Sequence, residues 1–174
     1  MGVRGAVIMS FFGAIFFALT LAWQWQISGV TLAFPFIVFA LIASAGLYAI
    51  RHGADGGGLS RKVRKAILWS STAEGIGIFV AVNVLTNLHR PELRLPATAL
   101  IVGLHFLPIA AAAATRRFYI LGAVLIGIAA VGFVLSPPAG GEVAGIASAI
   151  CLWIAAVFAI ARDRHAGQLA AIHI

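Results

Sequence analysis

Residues 118–136 read FYILGAVLIGIAAVGFVLS, and from Ile120 to Leu135 every position is apolar or glycine. At about 1.5 Å per residue, a helix over this stretch covers nearly the ~30 Å hydrocarbon thickness of a bilayer. A strand reading fails, because barrel strands are ~10 residues of alternating polarity and nothing here alternates. The stretch therefore predicts a transmembrane helix, and the pattern recurs along the chain. Apolar runs with few charges at about 6–23, 31–50, 66–88, 97–115, 118–136 and 143–161 predict six spans. The expected fold is all-α: a polytopic membrane protein in which residues 1–174 form a single six-helix transmembrane domain.

Composition points the same way. Of 174 residues, 62% are apolar and 10% charged, and the mean hydropathy is +1.06. A soluble domain carries about 25% charged residues, and disordered chains are poor in apolar ones. Cys151 stands alone in the sequence, which removes a disulfide scaffold. The intervals between spans are short, so consecutive helices are expected to be antiparallel neighbours. Pro91 and Pro96 punctuate 89–96, Arg116 and Arg117 separate the fourth span from the fifth, and PPAGG at 137–141 forms a turn. Only 51–65 is a longer loop, basic and glycine-rich. It lacks the G-K-[ST] of a phosphate-binding loop and reads as a flexible linker.

Basic residues set the expected orientation, because Lys and Arg in short loops stay cytoplasmic. Ten fall on one side: Arg4, Arg51, Arg61, Lys62, Arg64, Lys65, Arg116, Arg117, Arg162 and Arg164. Arg90 and Arg94 fall on the other. This asymmetry places both termini in the cytoplasm. Trp23 and Trp25 anchor the outer interface, and Tyr48, Trp69 and Tyr119 the inner one. The run from Ala6 to Trp23 exceeds a signal-peptide core and lacks an A-x-A-like site after it, so it reads as an uncleaved first helix. The net charge of +7 needs no nucleic acid. Arg61, Lys62, Arg64 and Lys65 are expected to contact anionic headgroups, each attracted by about 1 kcal/mol.

Ionisable groups within spans are costly and mark candidate sites. Glu74 lies nine residues past Lys65, and His105 nine past Pro96 from the opposite side. Each is thus about 13 Å deep, near mid-membrane, on consecutive antiparallel helices. Ser70, Ser71, Gly77 and Ala81 flank Glu74 on its helix face, a stripe suited to close packing, whereas Thr72 and Asn83 fall opposite. Pro108 has no amide hydrogen and leaves the Leu104 carbonyl without its helical donor, beside His105. Pro35 is expected to free the Thr31 carbonyl similarly. The candidate ion, proton or substrate site is therefore Glu74, His105, Ser70, Ser71, Leu104 and Pro108.

Other chemistries find little footing. His52, His89, His105, His165 and His173 are scattered without metal-ligand spacing, and Ser70, Ser71 and Ser148 have no base placed to activate them. Neither an enzyme nor a cofactor nor a metal is expected. Small residues at Gly122, Ala123 and Gly127, and at Ala144, Gly145, Ser148 and Ala149, fit helix packing or a dimer seam. No internal duplication emerges, and the 166–174 tail is expected at the inner interface.

The run PATALIVGLHFLP at 96–108, preceded by Glu74-Gly75-Ile76 and followed by Tyr119 and Gly122, resembles a group of small, uncharacterised bacterial integral membrane proteins. Many carry a similar Val-Gly-Leu-His-Phe-Leu-Pro run. The resemblance covers roughly residues 74–122 and implies a bacterial inner-membrane protein of several helices. It brings no activity and no functional residues, but it places His105 and Pro108 inside the shared run.

Two functional readings stand. In one, the chain is a small transporter or channel-like permease. A carboxyl out of water disfavours its charged form, while an imidazolium beside it favours that form, so Glu74 can alternate and carry a proton or cation. In the other, the chain is a scaffold, assembly factor or partner subunit in which Glu74 and His105 lock the bundle. A lipid- or quinone-linked enzyme is a third, minor alternative. The expected partners are the bilayer and its anionic cytoplasmic headgroups, with a homo-oligomer or a membrane partner protein left open.

Overall fold

The computed structural model describes residues 2–52 and 58–172, with side chains described as far as His165. The glycine-rich segment 53–57, His173, and the side chains of the tail from Ala166 lie outside that description. Six α-helices follow in order: α1 Val3–Trp23, α2 Phe34–Arg51, α3 Arg61–Asn87, α4 Arg94–Ala113, α5 Arg116–Val134 and α6 Ala139–Ile172. All six are long and apolar enough to cross a membrane, and no strand occurs among the described residues.

The helix boundaries have local causes. Before α2, a 3-10 turn spans Gly29–Ala33, and Pro35 enters in the first helical turn, where a missing amide hydrogen costs nothing. The Phe34 amide donates to the Thr31 carbonyl. The expected break at Pro35 is therefore absent, because the helix begins there instead of passing through it. The loop expected at 51–65 is shorter as well. Ser60 caps α3 by accepting from the Val63 amide at 3.3 Å, so the basic cluster belongs to the first turns of the helix. Arg61, Lys62, Arg64 and Lys65 stay exposed while Val63 is buried between them. Helix α6 runs 34 residues, well beyond the expected 143–161, because only Arg162, Asp163, Arg164 and His165 interrupt its apolar pattern before the tail.

Four helices, α1, α4, α5 and α6, build the core, with α2 against α1 and α6 and α3 against α4. A close backbone crossing joins α4 and α5. A Cβ added at Gly122 would lie 2.8 Å from the Gly103 carbonyl oxygen, and one at Gly103 would lie 3.0 Å from that of Gly122. No larger residue fits at either position without parting the backbones. On α6, the hydroxyl-bearing and small residues Ala144, Gly145, Ser148 and Ala149 are all buried within the chain.

Two ends can be told apart. At one, Gly46 near the end of α2 faces Val3 and Val7 of α1 and Ile160 of α6. There the Arg164 guanidinium also lies 5.7 Å over the Tyr48 ring, and nearer the middle Phe106 of α4 stacks on Phe118 of α5. At the opposite end Gly141 meets Gln24, the Trp25 indole donates to Glu142 at 2.8 Å, and Arg94 lies 5.5 Å over Trp23. The chain thus returns to its starting end after six passes.

Candidate functional site

The site starts from helix rise and rotation. Glu74 is near the midpoint of α3, and it is one of the few buried positions on a helix otherwise largely exposed. His105 is near the middle of α4, the antiparallel neighbour. The two meet: His105 Nδ1 lies 3.2 Å from Glu74 Oε2, with side chains 11% and 8% exposed. The distance permits an ion pair, yet Nδ1 makes no hydrogen bond of good alignment. The two observations are consistent, because the carboxylate approaches off the ring N–H direction. Phe106 sets its ring edgewise to His105 at 5.2 Å between centroids.

Beside the pair is a cavity of about 80 Å³. Its polar lining is Ser71, Glu74 and His105, and its apolar walls come from α1, α3, α4 and α6. A water takes about 30 Å³ of liquid volume and needs at least two polar partners, so on the order of two or three waters fit here. Organic ligands occupy roughly 300–1,000 Å³, far more than is available. The α1 lining, Gly5 to Phe12, and Ile67 of α3 place the cavity between the pair and the end that gathers ten basic residues. On the other side of the pair, Gly77 sits against Ile101, where a Cβ would lie 3.3 Å from the Ile101 side chain.

The remaining expected site residues divide. Ser71 lines the cavity. Ser70 is buried next to the pair, but its hydroxyl donates to the Ile67 carbonyl at 3.3 Å. Leu104 and Pro108 are exposed and do not line the cavity. At 100° per residue they lie about 100° and 60° from His105, both on the side turned away. Thr72 and Asn83 also face outward, their side chains donating to the Leu68 and Phe79 carbonyls of the preceding turn. Among the described residues, no cluster of three or more His, Cys, Asp or Glu side chains is placed to hold a metal. One polar contact escaped sequence reasoning: the Trp153 indole donates to the Ser10 carbonyl at 3.0 Å inside the α1–α6 seam. Its signal was a tryptophan midway along a span, away from the interfacial belt, whose N–H must find an acceptor.

What the arrangement can do chemically is limited and specific. A carboxyl and an imidazole in contact can hold one proton between them in either a neutral or a charge-separated form. A few waters in the adjoining cavity could deliver or remove that proton. No protein family matches the chain, and no curated protein or solved structure matches it either.

Proposed function

We propose that the chain is a multi-pass protein of a bacterial inner membrane, acting as a small transporter or channel-like permease. Glu74 and His105 handle a proton or small cation in it. The observation that carries this reading is the 3.2 Å carboxylate–imidazole contact on the wall of a small polar cavity, midway along the helices. Membrane residence is supported by the outward apolar residues: Val30, Leu41, Leu68, Trp69, Phe79 and Phe158 are each more than half exposed. Such a surface is unfavourable in water and favourable in lipid. The ten-to-two asymmetry of basic residues supports a cytoplasmic location for the end carrying both termini. The cavity then lies on the cytoplasmic side of the pair. Its size favours a proton or a monovalent cation over any organic solute.

In this mechanism Glu74 takes a proton from cavity water and shares it with His105, and net passage requires a second exit beyond Gly77 and Ile101. Helix α3 is the element whose displacement opens that exit, since it lies at the edge of the bundle against α4. The scaffold reading draws on the same closure: a pair sealed on one side, and a peripheral α3 with an uncovered apolar face, also suit a protein that binds a partner. Purified chain in liposomes distinguishes them. Wild type is expected to dissipate an imposed pH gradient, and Glu74→Gln to lower the flux at least about a hundredfold, the scale of losing one positioned proton-transfer group. Equal flux in both removes Glu74 from the mechanism, and no flux in wild type leaves the scaffold reading.

A further inference from the structure

A second recess, about 600 Å³, runs between α5 and α6, with Met9 of α1, which also lines the cavity beside Glu74, on its wall. Its walls are hydrocarbon: Phe118, Leu121 and Val124 from α5 face Ile154, Ala155 and Phe158 from α6. Its polarity changes once, at the end that gathers the basic residues, where Thr115, Arg117, Arg162 and His165 form the mouth. From Cys151 at the deep end to Arg162 at the mouth is eleven helical residues, about 16 Å. That equals the depth of hydrocarbon in one leaflet, about 15 Å.

The mouth carries charge in excess of its internal needs. Arg162 is held by Asp163, whose Oδ1 accepts from Nε at 2.8 Å and from Nη2 at 2.6 Å. Arg117 and His165 are exposed, and neither has an acidic partner within ion-pair distance among the described residues. An occupant matching the recess must be apolar for one leaflet's depth and anionic at the headgroup level. Free phosphate fits the mouth and wastes the groove, while a neutral hydrocarbon fits the groove and wastes the mouth. Basic recesses between helices at the cytoplasmic face are suited to acidic lipid headgroups.

We infer that this groove binds one anionic phospholipid, its phosphate on Arg117 and His165 and an acyl chain between α5 and α6. The site is separate from the basic cluster at the start of α3. It rests on the reading that the chain spans a bilayer, and not on the Glu74–His105 chemistry.

The test uses the full chain, first checked for resistance to carbonate extraction from membranes, then purified in mild detergent. Equal amounts of phosphatidylglycerol and phosphatidylethanolamine with matched acyl chains are offered, and bound lipid is read by native mass spectrometry. Wild type is expected to retain one phosphatidylglycerol with about fivefold preference, the scale of one arginine acting on an acidic headgroup. Arg117→Gln with His165→Gln should abolish the preference. Ala155→Phe, which fills the groove and leaves every charge in place, should abolish retention. Arg61→Gln with Lys62→Gln should change neither. Equal retention of the two lipids by an inserted wild-type chain overturns the groove alone. So does a loss of preference equal in the Arg61 and Lys62 variant, which reduces the effect to general surface charge. Displacement of the lipid by millimolar inorganic phosphate assigns the mouth to a free anion and overturns it too. Release by carbonate overturns the spanning reading and the groove with it.

Discussion

Glu74 and His105 each gain from the other being present, and this has a measurable consequence. Replacing one partner leaves the other buried with an unmet polar group, which costs about 1–3 kcal/mol. Replacing both removes the contact and its penalty together. Glu74→Gln and His105→Gln should each destabilise the chain in detergent, and the double variant should lose less than the sum, with a coupling of about 0.5–3 kcal/mol. Denaturant unfolding of the four proteins of that cycle reads it directly. Additive losses would mean that the 3.2 Å contact contributes nothing to the pairing of α3 and α4. The positions of both residues near the middle of neighbouring helices were legible in sequence, because helical rise is fixed and Lys65 and Pro96 mark where the count begins. The facing of Leu104 and Pro108 was not. Which side of α4 points inward is decided by the Gly103–Gly122 crossing with α5, and a single helix carries no record of its partner's surface. Pro108 accordingly lies turned away from the cavity it was expected to serve.

At the scale of elements, small residues divide into those that meet a neighbour and those that do not. Gly122 and Gly127 look equivalent in sequence, both small and both on α5. Gly122 touches the α4 backbone, whereas a Cβ at Gly127 would meet nothing within 4 Å. Gly122→Ala should therefore cost about 1–3 kcal/mol by forcing two backbones apart. Gly127→Ala should be neutral or stabilising by up to about 1 kcal/mol, the helix propensity difference. Thermal unfolding in detergent separates them, and equal effects would contradict the crossing. Helix number and order were legible because apolar length is a property of each segment alone. Helix ends were less so. The α3 start depends on the Ser60 cap, and the charges of 61–65 concealed that the helix had already begun. The stripe on α6, open to reading as a dimer seam, is consumed inside the chain against α1 and its neighbours.

For the whole molecule, the structure fixes which helix ends lie together, and the proposed bilayer adds which end faces the cytoplasm. Val3, Gly46 and Ile160 meet at one end; Gln24, Gly141 and Trp25 with Glu142 close the other. The two ends also differ in charge, so an inverted insertion would place ten basic residues against the translocation preference and leave Arg90 and Arg94 inside. Single cysteines in a Cys151→Ala background report this arrangement. Ser28→Cys and Leu88→Cys, at the lightly charged end, should react with a membrane-impermeant maleimide added to intact cells. Ser60→Cys and Thr115→Cys, at the basic end, should react only after permeabilisation. Neutralising Arg61, Lys62, Arg64 and Lys65 together removes four of the ten charges and should raise external labelling of Ser60→Cys, because the remaining bias is six to two. Labelling of all four cysteines from outside would mean that the chain does not span the membrane. The opposite pattern, with Ser60→Cys labelled and Ser28→Cys protected, would keep the bundle and invert it. In that case the cavity would lie on the outer side of Glu74 and His105, and the direction of proton entry proposed for it would reverse.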